Sequence, residues 1–336
     1  MTLADGGLGP RMAAARTALL AARSLLFVPA TRPDRFEGAL GAGADIVCVD
    51  LEDAVAPDLK AGARPDGTGF LAGAEGPGGT KGPGGALRAL RVNPLSTRHG
   101  LADMLAVLDM PPAPDAAPAP DAAPAPDAAP ASGTAASGCL FLPKVGSAAE
   151  LRLADELLCA AGSPLALIAL IESNEGLANA HEIAAATPRL GMVMFGAADL
   201  AAELGVEVAH EPLLHARCTV VHAARRAGIA ALDVPCLDFR DPAAVAGEAR
   251  RARALGFTGK AMIHPSNVGP VHAAFTPGED EVARARRVVE AFEASATGVT
   301  SLDGKLIEAP VVRAMQRILA LADRGGTRSG TNGANG

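Results

Sequence analysis

Apolar residues in this 336-residue chain fall into short runs rich in β-branched side chains, separated by longer stretches of helical periodicity. Eight runs read as strands: SLLFVPA from Ser24, DIVCVDLED from Asp45, LRALRVNP from Leu87, CLFLPKV from Cys139, LALIALIES from Leu165, GMVMFGAADL from Gly191, IAALDVP from Ile229 and GKAMIHP from Gly259. Most precede amphipathic stretches such as AAELRLADELLCAAG from Ala148 and EVARARRVVEAFEA from Glu281. This alternation predicts parallel strands joined by crossover helices. The runs turn polar at their C-terminal ends: Asp50, Glu52 and Asp53; Arg91 and Asn93; Lys144; Glu172; Asp199; Asp233; His264. In a closed parallel barrel these ends converge on the one face where such barrels carry their chemistry. The predicted fold class is α/β, a (β/α)8 TIM barrel over 23–294. An open doubly wound sheet is the alternative, but no GxGxxG follows the first run.

Several segments stand apart from the barrel pattern. Residues 1–22 read as an N-terminal extension, a partly frayed helix carrying Arg11 and Arg16. The glycine-rich insertion 61–85 has little to bury and costs much to order, so it predicts a mobile loop. Insertion 111–138 repeats the hexad APDAAP, whose prolines favour extended chain over helix or central strand. It falls in an αβ connection, on the face opposite the strand C-termini. Residues 295–324 read as a C-terminal helical extension, and the tail 325–336 has no apolar periodicity and predicts disorder.

Composition narrows the function. A net charge of −7, nine Phe and neither Trp nor Tyr argue against nucleic acid as a partner. The N-terminal apolar stretches are too short for a signal sequence or a membrane span. Cys48, Cys139, Cys159, Cys218 and Cys236 are scattered without CxxC spacing, which predicts reduced thiols, no structural zinc and a cytoplasmic location.

Two carboxylates close neighbouring strands. Taken singly, Glu172 and Asp199 read equally well as groups near helix caps: Ser173 and Asn174 are good N-cap types after Glu172, and Asp199 would itself cap a helix from Leu200. Taken together at the ends of strands five and six they repel unless protonated or bridged by a cation. Two carboxylates with open positions suit Mg2+, which keeps its waters, better than zinc, which would want His or Cys. Arg91 is placed to bind a substrate carboxylate and to stabilise enolate charge, or else to form a structural pair with Glu52 or Asp53. One acid of the DLED cluster is expected to orient Arg91 or Lys144, and His264 is expected to stand back from the metal.

These segments, RSLLFVPATRPDRF, GADIVCVDLEDAVAPDLKAGAR, RVNP, LPKV, ALIESNEGLANAHEIA, FGAADLAAELG, GFTGKAMIHPSNVGPVHAAFTP and DGKLIEAPVVRA, occur in an order that resembles the citrate lyase beta-subunit and malyl-CoA lyase family of the HpcH/HpaI aldolase superfamily. The resemblance runs from Arg23 to about Ala314. It implies Glu172 and Asp199 as Mg2+ ligands, Arg91 as the catalytic residue that binds the substrate carboxyl end and polarises the reacting carbonyl, and backbone amides of Gly196, Ala197 and Ala198 as keto-acid contacts; Glu52 of the DLED cluster is the catalytic candidate beside Arg91. It implies Arg32 and Lys60 as coenzyme A phosphate contacts. The reaction implied is cleavage or formation of a 3-hydroxyacyl-CoA such as citryl-CoA, malyl-CoA or citramalyl-CoA, yielding acetyl-CoA and a keto acid. A thioester hydrolase on the same site, or a weakly active lyase subunit working with an acyl-carrier partner, are the alternatives. The resemblance further implies a homotrimer or hexamer, with the C-terminal extension serving a neighbouring subunit. In DGKLIEAP, Glu308 stands where relatives carry Asp as the proton donor, one methylene longer.

Overall fold

The computed structural model describes residues 9–73, 85–110, 138–295 and 298–329. The eight predicted runs form eight parallel strands: β1 (Ser24–Pro29), β2 (Ile46–Asp50), β3 (Leu87–Arg91), β4 (Gly138–Leu142), β5 (Ala166–Ile171), β6 (Leu190–Phe195), β7 (Ala230–Asp233) and β8 (Gly259–Met262). They close in sequence order, with Ser24 of β1 in register with Lys260 of β8. The fold is the expected (β/α)8 barrel. Strand parity sorts each run into two faces. Leu25, Ile46, Cys48, Leu87, Ala89, Cys139, Phe141, Ala166, Ile168, Leu170, Met192, Met194, Ala230, Leu232 and Ala261 fill one continuous core cluster inside the barrel. The alternate residues, among them Val47, Leu140, Val193 and Ala231, are buried on the opposite face of their strands.

Local signals start and stop the surrounding helices. Thr97 accepts a hydrogen bond from the Gly100 amide to cap the helix Arg98–Leu108. Ser147 and Glu150 form a capping box for Ala148–Ala160, and Asp241 caps Pro242–Leu255 with proline in the first turn. Gly205, Gly228 and Gly256 end their helices in the left-handed conformation.

Four expectations change. The N-terminal extension is part of the barrel: within the helix Pro10–Ala21, Ala15 and Leu19 are fully buried and, with Ala22, join the core cluster. A Cβ built on Gly191, at the start of β6, would stand 2.7 Å from Leu19 Cδ1, so the helix lies hard against the N-terminal end of that strand. The glycine-rich loop begins as a helix, Lys60–Leu71. Phe70 and Leu71 are buried, and Gly67 packs against Leu90 and Leu51, so burial offsets the low helix propensity and Pro65. Residues 74–84 of that insertion and 111–137 of the proline repeat lie outside the described residues. The helix Ala309–Ser329 continues five residues past the expected start of the tail, and 330–336 lie outside the described residues.

The fourth change concerns the domain boundary. Compact units divide at Val271 and His272 instead of at 294. The second unit holds the helix Glu279–Glu293, the hairpin of β9 (Val299–Leu302) and β10 (Lys305–Glu308), and the helix Ala309–Ser329. The helix Glu279–Glu293 goes with this unit because its Val288 shares a separate small core with Ile307 and Val312.

Candidate active site

Inward parity carries the polar residues into the barrel mouth. Asp50 follows inward Ile46 and Cys48, Arg91 follows Leu87 and Ala89, and Glu172 follows Ala166, Ile168 and Leu170. Asp233 has the opposite parity. It turns away from the barrel axis, where it meets Arg217 and the Lys260 ammonium at 2.8 Å, while Glu248 lies 3.0 Å from the same ammonium. Those charges are structural. With Ala230 and Leu232 inward, counting by twos places Asp233 on the other face, which corrects its grouping with the residues expected at the mouth.

Arg91 is held by two acids. Its Nε donates to Asp50 Oδ1 at 2.7 Å and its Nη2 to Asp50 Oδ2 at 2.6 Å, while Nη1 lies 3.1 Å from Glu52 Oε2. The guanidinium rests 4.8 Å above the Phe27 ring. This arrangement keeps it firmly protonated, and the structural pair weighed for Arg91 forms with Asp50 and Glu52, not Asp53. Two of the five N–H groups of the guanidinium are hydrogen-bonded to Asp50, and Nη1 faces Glu52 as an ion pair. Glu52 is 2% exposed, and its Oε2 receives no aligned hydrogen bond despite the nearby guanidinium. Burial raises the Glu52 pKa.

Glu172 does not cap the helix that follows it. Ser173 does, accepting from the Gly176 amide at 3.0 Å, and this leaves the Glu172 carboxylate directed to the mouth. There Oε1 accepts the Lys144 amide at 2.9 Å. Burial, then the charges of Glu52 and Asp199, push Glu172 up to about 8 against the opposing pull of Arg91 and the Lys144 amide. Asp199 is also not a cap: the helix Ala197–Leu204 starts at Gly196, so Asp199 sits in its first turn, favourable for an anion, and is 43% exposed. Gly196 is required where it stands, since a Cβ there would fall 2.3 Å from Glu172 Cβ and 2.9 Å from its Oε2.

Lys144 links the carboxylates. Its Nζ lies 2.7 Å from Glu52 Oε1, 3.2 Å from Asp199 Oδ2 and 3.5 Å from Asp53 Oδ1. Its backbone has φ 51°, left-handed for a residue with a side chain, a strain on the order of 1–3 kcal/mol. At this twisted residue the amide donates to Glu172. Sequence reading marks Lys144 as a strand-end cation but misses this bracing role, because a positive φ at a lysine leaves no compositional signal.

The remaining predicted residues sit as follows. Lys60 donates to the carbonyls of Leu51 at 3.2 Å and Glu52 at 2.8 Å and to Asn93 Oδ1, so its ammonium ties the ends of β2 and β3 together. Asn93 in turn donates to Asp103 at 2.7 Å, and Arg64 pairs with Asp103 at 2.6 Å. No spacing or composition signal along the chain points to this network. Arg32 lies on the surface in a two-point pair with Asp34, at 2.8 and 2.7 Å. His264 caps the turn Pro265–Asn267 with Nδ1 2.7 Å from Ser266 Oγ. Glu308 ends β10 in the second unit, exposed and at the start of the helix Ala309–Ser329.

The donor set fits a hard divalent cation. Asp50, Glu52, Asp53, Glu172 and Asp199 gather around Arg91 and Lys144. Among the described residues no group of three or more His, Cys, Asp or Glu is arranged as a metal cage. Two carboxylates plus water are what Mg2+ takes; zinc would need a fuller set.

A closed α/β barrel with buried, perturbed carboxylates and a fixed arginine at its mouth is an enzyme of the barrel class. The chain belongs to the HpcH/HpaI aldolase/citrate lyase family, whose sequence profile matches residues 23–265. It is 32% identical over 329 residues to an L-malyl-CoA/beta-methylmalyl-CoA lyase of Cereibacter sphaeroides, covering 90% of this chain and 94% of the relative. A (3S)-malyl-CoA thioesterase of the same species is 32% identical over 308 residues, with the same shares covered. Among solved structures, CitE of Mycobacterium tuberculosis in complex with magnesium, acetoacetate and coenzyme A is 32% identical with a TM-score of 0.70, covering 91% of this chain and 100% of that one. Among the described residues no helix is long and apolar enough to cross a membrane.

Proposed function

We propose that the chain is a Mg2+-dependent carbon–carbon lyase that cleaves or forms a 3-hydroxyacyl-CoA, yielding acetyl-CoA and a keto acid; citryl-CoA, malyl-CoA and citramalyl-CoA are the candidates. The carrying observation is the excess of carboxylate at the mouth, with buried Glu172 raised to about 8 beside Asp199. Glu172 and Asp199 hold the cation. When bound, Mg2+ acts as a Lewis acid on the substrate's hydroxyl or keto oxygen and neutralises adjacent carboxylate. Arg91 offers N–H groups not bonded to Asp50 to the thioester oxygen, where charge grows as the carbon–carbon bond breaks. Asp50 and Glu52 hold it in place. The backbone around Gly196, Ala197 and Ala198, at the start of the helix Ala197–Leu204, receives the keto-acid carboxylate. Arg32 reaches coenzyme A phosphate by exchanging Asp34 for it, whereas Lys60 would first have to leave three protein acceptors. Glu308 of a neighbouring subunit protonates the acetyl-CoA enolate carbon in a cytoplasmic homotrimer or hexamer.

A thioesterase is the second reading, favoured by the relative of that name at equal identity. Incubating the purified chain with each thioester and Mg2+ separates them. Keto acid without free thiol is the expected product; thiol without carbon–carbon cleavage would make it a hydrolase, and no product from any of the three would overturn both.

A further inference from the structure

Lys144 contacts both carboxylates of the metal site by different atoms. Its amide donates to Glu172 Oε1 at 2.9 Å, and its ammonium lies 3.2 Å from Asp199 Oδ2. The same ammonium has a firmer hold on Glu52 at 2.7 Å and a looser one on Asp53 at 3.5 Å. The side chain is 39% exposed, so its end can shift, while the amide is held by its hydrogen bond to Glu172 in a backbone of left-handed φ, 51°. The local charges are lopsided: the acids at the mouth outnumber Arg91 and Lys144, and Arg91 is already committed to Asp50 and Glu52. Lys144 is thus the cation facing Asp199.

We propose that Lys144 is a built-in counter-ion for the metal site. In the metal-free protein its ammonium neutralises Asp199; when a divalent cation arrives it gives up that carboxylate and stays anchored on Glu52, while its amide keeps Glu172 aligned throughout. It is a positioning residue, and it competes with the metal for one ligand. This rests on the reading of Glu172 and Asp199 as metal ligands. The physical consequence has an unusual sign. A merely structural residue weakens the site when removed, but a competing cation strengthens it.

The test titrates the full-length protein with Mn2+ alone, reading free Mn2+ by electron paramagnetic resonance, with folding checked by circular dichroism. Lys144→Met removes the charge, and Lys144→Gly removes it while suiting the left-handed backbone and keeping the amide. Both should bind Mn2+ more tightly, on the order of tenfold, as loss of one nearby charge in a partly solvated site implies. Lys144→Arg should bind like the wild type. Unchanged or weaker binding in folded Lys144→Gly and Lys144→Met overturns the counter-ion role while leaving the lyase reading in place. A wild type that binds no Mn2+ removes the metal reading, and this inference with it.

Discussion

Gly196→Ala isolates how tightly the metal site depends on a single missing methyl. The Gly196 backbone, φ −106° and ψ 110°, is one that alanine adopts freely, so the cost is entirely steric. The added Cβ would stand 2.3 Å from Glu172 Cβ, while ordinary contact begins at 3.4 Å. Roughly 1 Å must be absorbed by Glu172, by β6 or by both, and at a catalytic group a shift of that size costs about 100-fold in rate. Overpacking in a rigid barrel adds a stability loss of about 1–3 kcal/mol. Gly69→Ala, in the helix Lys60–Leu71 with nothing within 4 Å of where its Cβ would stand, serves as the control and should leave both quantities unchanged or slightly improve stability. The assay is steady-state cleavage of the preferred thioester with a Mg2+ titration, run beside thermal melts of both variants. Gly196→Ala with kcat within threefold of wild type and an unchanged melting temperature would refute the claim that Glu172 is held in place by that close approach.

Three further outcomes are expected. Glu172 keeps its proton to about pH 8 when folded but loses it near 4.5 when unfolded; the folded state therefore binds more protons between these values, and stability falls as pH rises through them. Melts of the metal-free protein should show that slope, flattened in Glu172→Gln, and an identical slope in the variant would count against it. Lys260→Met leaves Glu248 and one oxygen of buried Asp233 without their cation and should cost about 3 kcal/mol in urea unfolding with no change in Mn2+ affinity. Glu308→Asp shortens the proposed proton donor by one methylene and should raise kcat at constant KM; a fall in kcat would mean that the site is built for glutamate.

The barrel was legible because parallel strands buried on both faces are written as unbroken apolar runs, and all eight emerged with their polar ends. Parity then separates Glu172 and Arg91, inward, from Asp233, outward. What sequence could not show depends on contacts between distant segments. KAGARPDGTGFL reads as a loop until Phe70 and Leu71 find a core, and the lysine at position 60 looks like a surface cation until Leu51, Glu52 and Asn93 surround it. The competition between capping and pocket-facing readings for Glu172 is undecidable locally; in the structure Ser173 takes the cap and the Glu172 carboxylate meets the Lys144 amide.

The helix Pro10–Ala21 bears on where this domain begins. The family profile starts at residue 23, after the buried positions Ala15, Leu19 and Ala22. A chain trimmed to the residues that the family profile matches would therefore lose the stopper of its own barrel. The first inward layer, Leu25, Ile46 and Leu87 among it, would meet water, at about 2 kcal/mol for each large side chain re-exposed. The borders of the family profile and of the folding unit differ on this polypeptide, and a stretch outside the profile is one that the barrel needs in order to stand.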